Sequence, residues 1–225
     1  MKPQLKLGEA RTPDGGNLAL FSHDGRFSVR LNGQELMHSA VATSEIQLGE
    51  LAVENVTSRT AARILIGGLG LAFTLKAVLE RVGPTAAIVV VELISEVVEW
   101  NRTHLAGLNG STLGDKRVTI AVDDVSAVLV RTPPASFDVI ILDVDNGPTA
   151  MVHRPNARLY DAGGIKRLAT ALRVAGRLAV WSASPDTAFE RRLVQAGLRV
   201  QTVPAKVHAG ARRASYILYL ADKVG

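Results

Sequence analysis

The chain of 225 residues contains no cysteine. That absence excludes a disulfide scaffold, a thiolate nucleophile, a cysteine-ligated zinc and an iron–sulfur cluster together. Aromatic residues are scarce, at 4%, and none interleave with basic runs, which argues against a nucleic-acid surface. No apolar run follows the two lysines of Met1 to Ala10, and none elsewhere reaches the length of a membrane span, so the expectation is a cytoplasmic protein with no leader and no membrane contact. The five histidines fall at no metal-ligand spacing, and neither a nucleophile elbow nor a phosphate-binding Gly-x-x-x-x-Gly-Lys occurs. A metal site, a serine hydrolase and an NTPase are therefore disfavoured, and the chemistry is left to oxygen and nitrogen groups.

Charge is present but unevenly spread. The net +5 combines a segment from Met151 onward, with 13 Lys/Arg against 4 Asp/Glu, and a preceding segment with 13 against 17. An acidic front portion suits cationic substrates, and the basic portion suits phosphates. Arg167, Arg173, Arg191 and Arg192 also fit the solvated faces of helices.

The apolar pattern predicts an α/β protein. Short runs at Leu18–Phe21, Phe27–Leu31 and Glu35–Met37, separated by Asp24-Gly25 and Asn32-Gly33 turns, predict a small β-hairpin region over residues 1–42 that packs as a flap. Ser44 with Gln47 has capping-box spacing and predicts a helix near 44–56. Near-continuous apolar runs at Ile64–Ile66, Ala87–Val91, Val118–Val122, Val139–Leu142 and Leu178–Trp181 then alternate with helical stretches at Ala72–Arg81, Ser95–Leu105, Val125–Val130 and Gly164–Val174. Such alternation predicts a mostly parallel, doubly wound sheet covered on both faces over residues 43–225. Arg199–Val203 and Ser215–Leu220 have no helix between them and predict an antiparallel terminal pair.

Ligands in open α/β sheets sit beyond the carboxyl ends of the strands. Gly67-Gly68-Leu-Gly70 follows the first of these strands, so backbone can approach a ligand closely there. Glu92 ends the second, 22 residues after Gly70, where a carboxylate can accept from both hydroxyls of a ribose. Phe73 stands where a dinucleotide fingerprint needs Gly or Ala, which disfavours NAD and FAD. Asp123-Asp124 ends the third strand and either meets an adenine amine or caps the next helix. Asp143-Val-Asp145-Asn146-Gly ends the fourth; its crowded carboxylates can hold or deprotonate an ammonium, and a polar turn is the alternative. Tyr160 and Trp181 either wall an acceptor pocket, favouring a cation through their rings, or belong to the core.

Taken in order, Ile64–Gly70, Val91-Glu92, Asp123-Asp124, Phe137–Asp143, Leu159-Tyr160 and Gly176–Val180 resemble the spermidine synthase family of aminopropyltransferases, within the Rossmann-like class I S-adenosylmethionine-dependent methyltransferase fold. The resemblance spans roughly residues 40 to 220. It implies that Gly68 and Gly70 line a sulfonium nucleoside, that Glu92 binds its ribose and Asp124 its adenine amine, and that Asp143 is the base. It further implies S-adenosylmethionine or its decarboxylated form as donor, an amine as acceptor, no metal, and a homodimer. Two positions depart from the family. Leucine stands at Leu71, where the family's glycine loop carries an aspartate, and Asn146 replaces the second acid of the Asp-x-x-Asp-Pro motif, or Asp145 displaces it. The departures leave methyl transfer as the alternative to aminopropyl transfer, and a non-catalytic nucleoside-binding or assembly module as a third reading.

Overall fold

The computed structural model describes residues 3–110, 112–144, 157–208, 210–211 and 213–225. The chain opens with four strands, β1 (Leu5–Arg11), β2 (Asn17–His23), β3 (Arg26–Leu31) and β4 (Gln34–His38). They form an antiparallel meander. Asp24-Gly25 and Asn32-Gly33 turn its second and third hairpins with positive φ at all four residues, as a tight hairpin loop requires. β1 was not visible as an apolar run. It is an edge strand whose side chains are mostly exposed, with Ala10 its buried residue, so the periodic signal is weak.

Helix α1 (Thr43–Val53) leads through a short 3-10 turn to the larger unit: β5 (Arg63–Gly67), α2 (Phe73–Arg81), β6 (Ala87–Glu92), α3 (Ser95–Arg102), α4 (Ala106–Asn109), β7 (Val118–Val122), α5 (Val125–Arg131), β8 (Phe137–Leu142), α6 (Ala157–Tyr160), α7 (Ala162–Ala171), β9 (Leu172–Ser182), α8 (Thr187–Gln195), β10 (Leu198–Ala205) and β11 (Tyr216–Lys223). The seven strands run in the order β10-β11-β9-β8-β5-β6-β7. β11 is antiparallel to both its neighbours, and the remaining pairs are parallel. This is the expected doubly wound sheet with an antiparallel terminal pair. Every residue of β8 is buried, which explains why the central strands read as unbroken apolar runs rather than as alternation.

Two local expectations are corrected. The capping box at Ser44 does not form, because α1 starts one residue earlier; Ser44 lies in its first turn and donates its hydroxyl to Glu45 Oε2 at 2.6 Å. The helix predicted to reach Val174 stops at Ala171. Leu172 instead pairs with Phe137 of β8, and a bulge with positive φ at Ala175 precedes the pairing of Arg177 with Val139.

The small sheet shares the main core: Ala10, Leu18, Leu20 and Val29 join the apolar cluster formed by α1, α2, α3 and one face of the large sheet. Gly8 lies so close to the Trp100 indole of α3 that any side chain there would strike the ring. The opposite face packs α5, α7 and α8 around Tyr160, Phe189 and Tyr219 in edge-to-face contacts.

At the amino end of β8, Asp138 is 3% exposed. It accepts from the Arg63 amide at 2.8 Å, Arg59 Nη1 at 2.9 Å and Arg173 Nη1 at 3.0 Å. Burial alone would raise its pKa, but these donors outweigh burial and hold it below the ordinary value. A depressed folded pKa contributes stability that is present above the ordinary carboxylate value and lost as pH falls through the folded one. Asp138→Ala, which leaves a buried amide and two guanidinium groups without their acceptor, should cost about 3 kcal/mol. In a thermal melt at pH 7 the midpoint should fall by roughly 6 to 12 °C, with a smaller gap at pH 3.

Candidate active site

The strand order reverses between β5 and β8, and at that point a cavity opens beyond their carboxyl ends. The backbone there is tightly tied. Asp143 donates its amide to the Gly67 carbonyl at 2.9 Å, and Gly68 donates to the Val91 carbonyl at 2.9 Å. Gly68 has φ +89, and a side chain on it would collide with the Asp143 carbonyl oxygen. Gly70, at φ +50, faces the Met37 sulfur of β4, which brings the small sheet over the glycine loop. Ala72 closes the loop in a left-handed conformation, its amide bonding the Leu69 carbonyl at 2.7 Å. From behind, Asn101 Nδ2 donates to the Gly70 carbonyl at 2.8 Å.

Gly68, Gly70, Glu92, Asp124, Asp143 and Trp181 all line this one cavity. Glu92 is 8% exposed; its Oε2 accepts from the Leu69 amide and its Oε1 from the Ile94 amide, each at 2.9 Å. It thereby ties the glycine loop to the end of β6. Burial pushes its pKa up against those bonds. Asp124 caps α5 by accepting from the Ser126 amide at 2.6 Å and also borders the cavity. Asp143 Oδ2 accepts the Thr74 hydroxyl at 2.6 Å, and burial raises its pKa despite that bond.

Other candidates lie elsewhere. Asp123 points away to an ion pair with Arg131. Gly67 is enclosed by Val125 and Leu142 beneath the loop. Tyr160 is 2% exposed and packs on Phe189 in the core, so it walls no pocket; its apolar ring is absorbed by the face that α7 and α8 cover. Asp145 and Asn146 fall outside the described residues.

Glu45 enters the site without having been anticipated. Gly49, one helical turn beyond it, brings α1 against Thr74 and Ala77 of α2, where a larger residue would overlap both. This places Glu45 in the cavity wall above Thr74, whose hydroxyl lies 3.2 Å from the Glu45 carbonyl. Burial, reinforced by the negative charge of Asp143, pushes the Glu45 carboxyl up to about 7. An acid on the buried side of a helix, one turn before a glycine, was the signal available in the sequence.

Four carboxylates therefore line the cavity, and among the described residues no Lys, Arg or His does. The thioether of Met37 and the apolar side chains of Leu18, Leu36, Leu69, Leu71, Phe73 and Ile94 make up much of the remaining wall. No group of His, Asp and Glu suited to a metal occurs among the described residues. Such a lining suits an amphiphilic cation with hydrogen-bonding hydroxyls.

No family model matches the chain. The polyamine aminopropyltransferase of Mycobacterium tuberculosis strain H37Rv is 32% identical over 152 residues, covering 65% of this chain and 28% of that protein. Polyamine aminopropyltransferase 2 of Streptomyces coelicolor is 33% identical over 205 residues, covering 88% of this chain and 34% of that protein. The chain is thus similar in sequence to these polyamine aminopropyltransferases. It spans about a third of the length of these curated relatives. Among solved structures, a spermidine synthase in complex with the transition-state analogue AdoDATO superposes with a TM-score of 0.78 at 17% identity, over 97% of this chain and 73% of that one. That likeness establishes the class I methyltransferase-like fold.

The loop geometry predicts unequal costs at its two left-handed glycines. Gly68→Ala forces both a left-handed alanine and a collision with rigid backbone, and should cost about 3 kcal/mol or more. Gly70→Ala meets only the flexible end of Met37 and should cost about 1 kcal/mol. Urea midpoints of the two variants measured side by side check this.

Proposed function

We propose that the protein is a transferase that moves an alkyl group from a sulfonium nucleoside to an amine. The observation that carries this reading is the switch-point cavity, with Glu92 beneath the glycine loop and carboxylates but no cationic side chain in its described wall. A sulfonium donor and an ammonium acceptor are both cations, and both need such a lining. The relatedness to polyamine aminopropyltransferases supports aminopropyl transfer from decarboxylated S-adenosylmethionine as the specific reaction, with a polyamine-type amine as acceptor. The transition-state analogue held by the structural relative supports the same donor class.

In this reading Glu92 accepts from the ribose hydroxyls, Asp124 accepts from the adenine amine, and Gly68 and Gly70 let the backbone approach the nucleoside. Asp143 and Trp181 border the acceptor end. Transfer needs little more than alignment, since a sulfonium is already an activated leaving group. Asp145 and Asn146 belong to the same strand terminus in sequence and are proposed to fix the far end of the acceptor.

Leu71 supports methyl transfer from S-adenosylmethionine as the second reading, because it lines the cavity where the family's acid would engage the amino group of an aminopropyl chain. A cytoplasmic homodimer is proposed on the family resemblance. No helix among the described residues is long and apolar enough to cross a membrane.

Thermal unfolding with S-adenosylmethionine, decarboxylated S-adenosylmethionine, methylthioadenosine, S-adenosylhomocysteine and NAD separates these readings. A ligand at about a hundred times its dissociation constant adds roughly 2.7 kcal/mol, a midpoint rise of several degrees. Aminopropyl transfer predicts the largest rises with the decarboxylated donor and methylthioadenosine, whereas methyl transfer predicts them with S-adenosylmethionine and S-adenosylhomocysteine. Glu92→Ala should abolish the rise in either case, and silence from all five ligands would refute the proposal.

A further inference from the structure

Glu45 and Asp143 reach the cavity from different layers of the fold, one from the first turn of α1 and the other from the end of β8. Their surroundings differ in a way that divides their roles. Asp143 directly follows the short, fully buried β8, and Thr74 occupies one of its oxygens. Glu45 has a longer side chain, anchored at Oε2 by its neighbour Ser44. The other titratable group facing it is Tyr216 of β11, whose hydroxyl is held neutral by burial and by the Glu45 charge. Tyr216 stacks on Trp181 at 4.6 Å between ring centroids, and the Trp181 indole Nε1 is buried without a hydrogen-bond partner among the described residues. Glu45, Asp143 and Trp181, the last backed by Tyr216, thus share the cavity wall, with no basic side chain in the described wall to neutralise the two carboxyls.

We propose that Glu45 grips the ammonium group of the acceptor and takes its proton, while Asp143, held by Thr74, lines the cavity beside it. The proposal rests on reading the cavity as a sulfonium-nucleoside and amine site. Burial, with the Asp143 carboxyl facing it across the cavity, pushes the Glu45 carboxyl up to about 7. A carboxylate that binds a proton near neutral pH is matched to the work of a base.

In the step itself the acceptor ammonium gives one proton to the Glu45 carboxylate and becomes a neutral amine. The freed nitrogen lone pair forms a bond to the carbon on the donor sulfur, and the carbon–sulfur bond breaks with its electron pair remaining on sulfur. The products are a substituted ammonium, a neutral thioether nucleoside and protonated Glu45, which returns its proton to solvent. Glu45 thereby supplies, from α1, the second acid that the glycine loop and the Asn146 position do not.

The test uses the full chain and its Glu45→Gln and Glu45→Asp variants. Methylthioadenosine affinity is measured by calorimetry first, then the affinity of putrescine and of n-butylamine for the nucleoside-saturated protein between pH 5.5 and 8.5. Methylthioadenosine should bind all three proteins alike, within about threefold, while Glu45→Gln weakens both amines at least about tenfold and Glu45→Asp recovers part of that loss. The rise in amine affinity through pH 7 should vanish in Glu45→Gln. Unchanged amine affinity in Glu45→Gln overturns the proposal, as does a parallel loss of nucleoside, which would mark Glu45 as structural. Infrared titration of the ligand-free protein reads the same group without any ligand: a carboxyl band titrating near 7 should disappear in Glu45→Gln and move to lower pH in Asp143→Asn. Absence of that band from the unsubstituted protein removes the proton-accepting role. Failure of methylthioadenosine to bind the unsubstituted protein instead refutes the nucleoside reading on which the proposal stands.

Discussion

The backbone hydrogen bond from Asp143 to Gly67 joins the ends of β5 and β8, and from that point the rest of the molecule takes its arrangement. The two strands run side by side, yet the chain leaves them for opposite halves of the sheet, so nothing of the sheet itself can fill the space above. Gly68 must then be glycine, because the Asp143 carbonyl occupies the volume of a side chain. The glycine loop, Glu92 beneath it and α2 beyond it all inherit their positions from this junction. α1 follows in turn, since Gly49 docks it on the start of α2 and so carries Glu45 to the same opening.

The small sheet closes the opening from above. Its contribution is apolar, through Leu18, Leu36 and Met37, with Thr12 and Pro13 from its first turn. The site is therefore divided by origin: charge comes from strand ends and from α1, and the apolar roof comes from the meander. Under the proposed function, the apolar parts of a nucleoside donor would meet the roof and cationic groups the floor.

Much of this was legible in the sequence because the parallel strands are buried on both faces and announce themselves as apolar runs ended by Gly, Glu or Asp. Glu92, Asp124 and Asp143 follow from that rule alone, each lying at or just beyond the carboxyl end of a strand. What escaped has a physical reason in each case. β1 lies at an edge with little to bury, so its pattern is diluted. Tyr160 follows the acidic segment in sequence but is claimed by the second core, where an aromatic ring gains more from burial against Phe189 and from α7 and α8 packing over it. Asp123 and Asp124 are neighbours whose side chains diverge, one toward Arg131 and the other toward the helix it caps. Glu45 depends on helix–helix packing between segments some 30 residues apart, which no local periodicity reports.

Strand β8 carries an acid at its amino end and is followed by another at its carboxyl end, and the fold treats them oppositely. Asp138 is surrounded by donors that favour its ionised form, whereas Asp143 and its neighbour Glu45 are buried where ionisation is resisted. Asp138 therefore contributes stability that is lost as pH falls through its folded value, whereas Glu45 contributes stability that is lost as pH rises toward about 7. Ionising the cavity's acids thus works against the fold, so one strand spends at its carboxyl end part of the stability that it gains at its amino end.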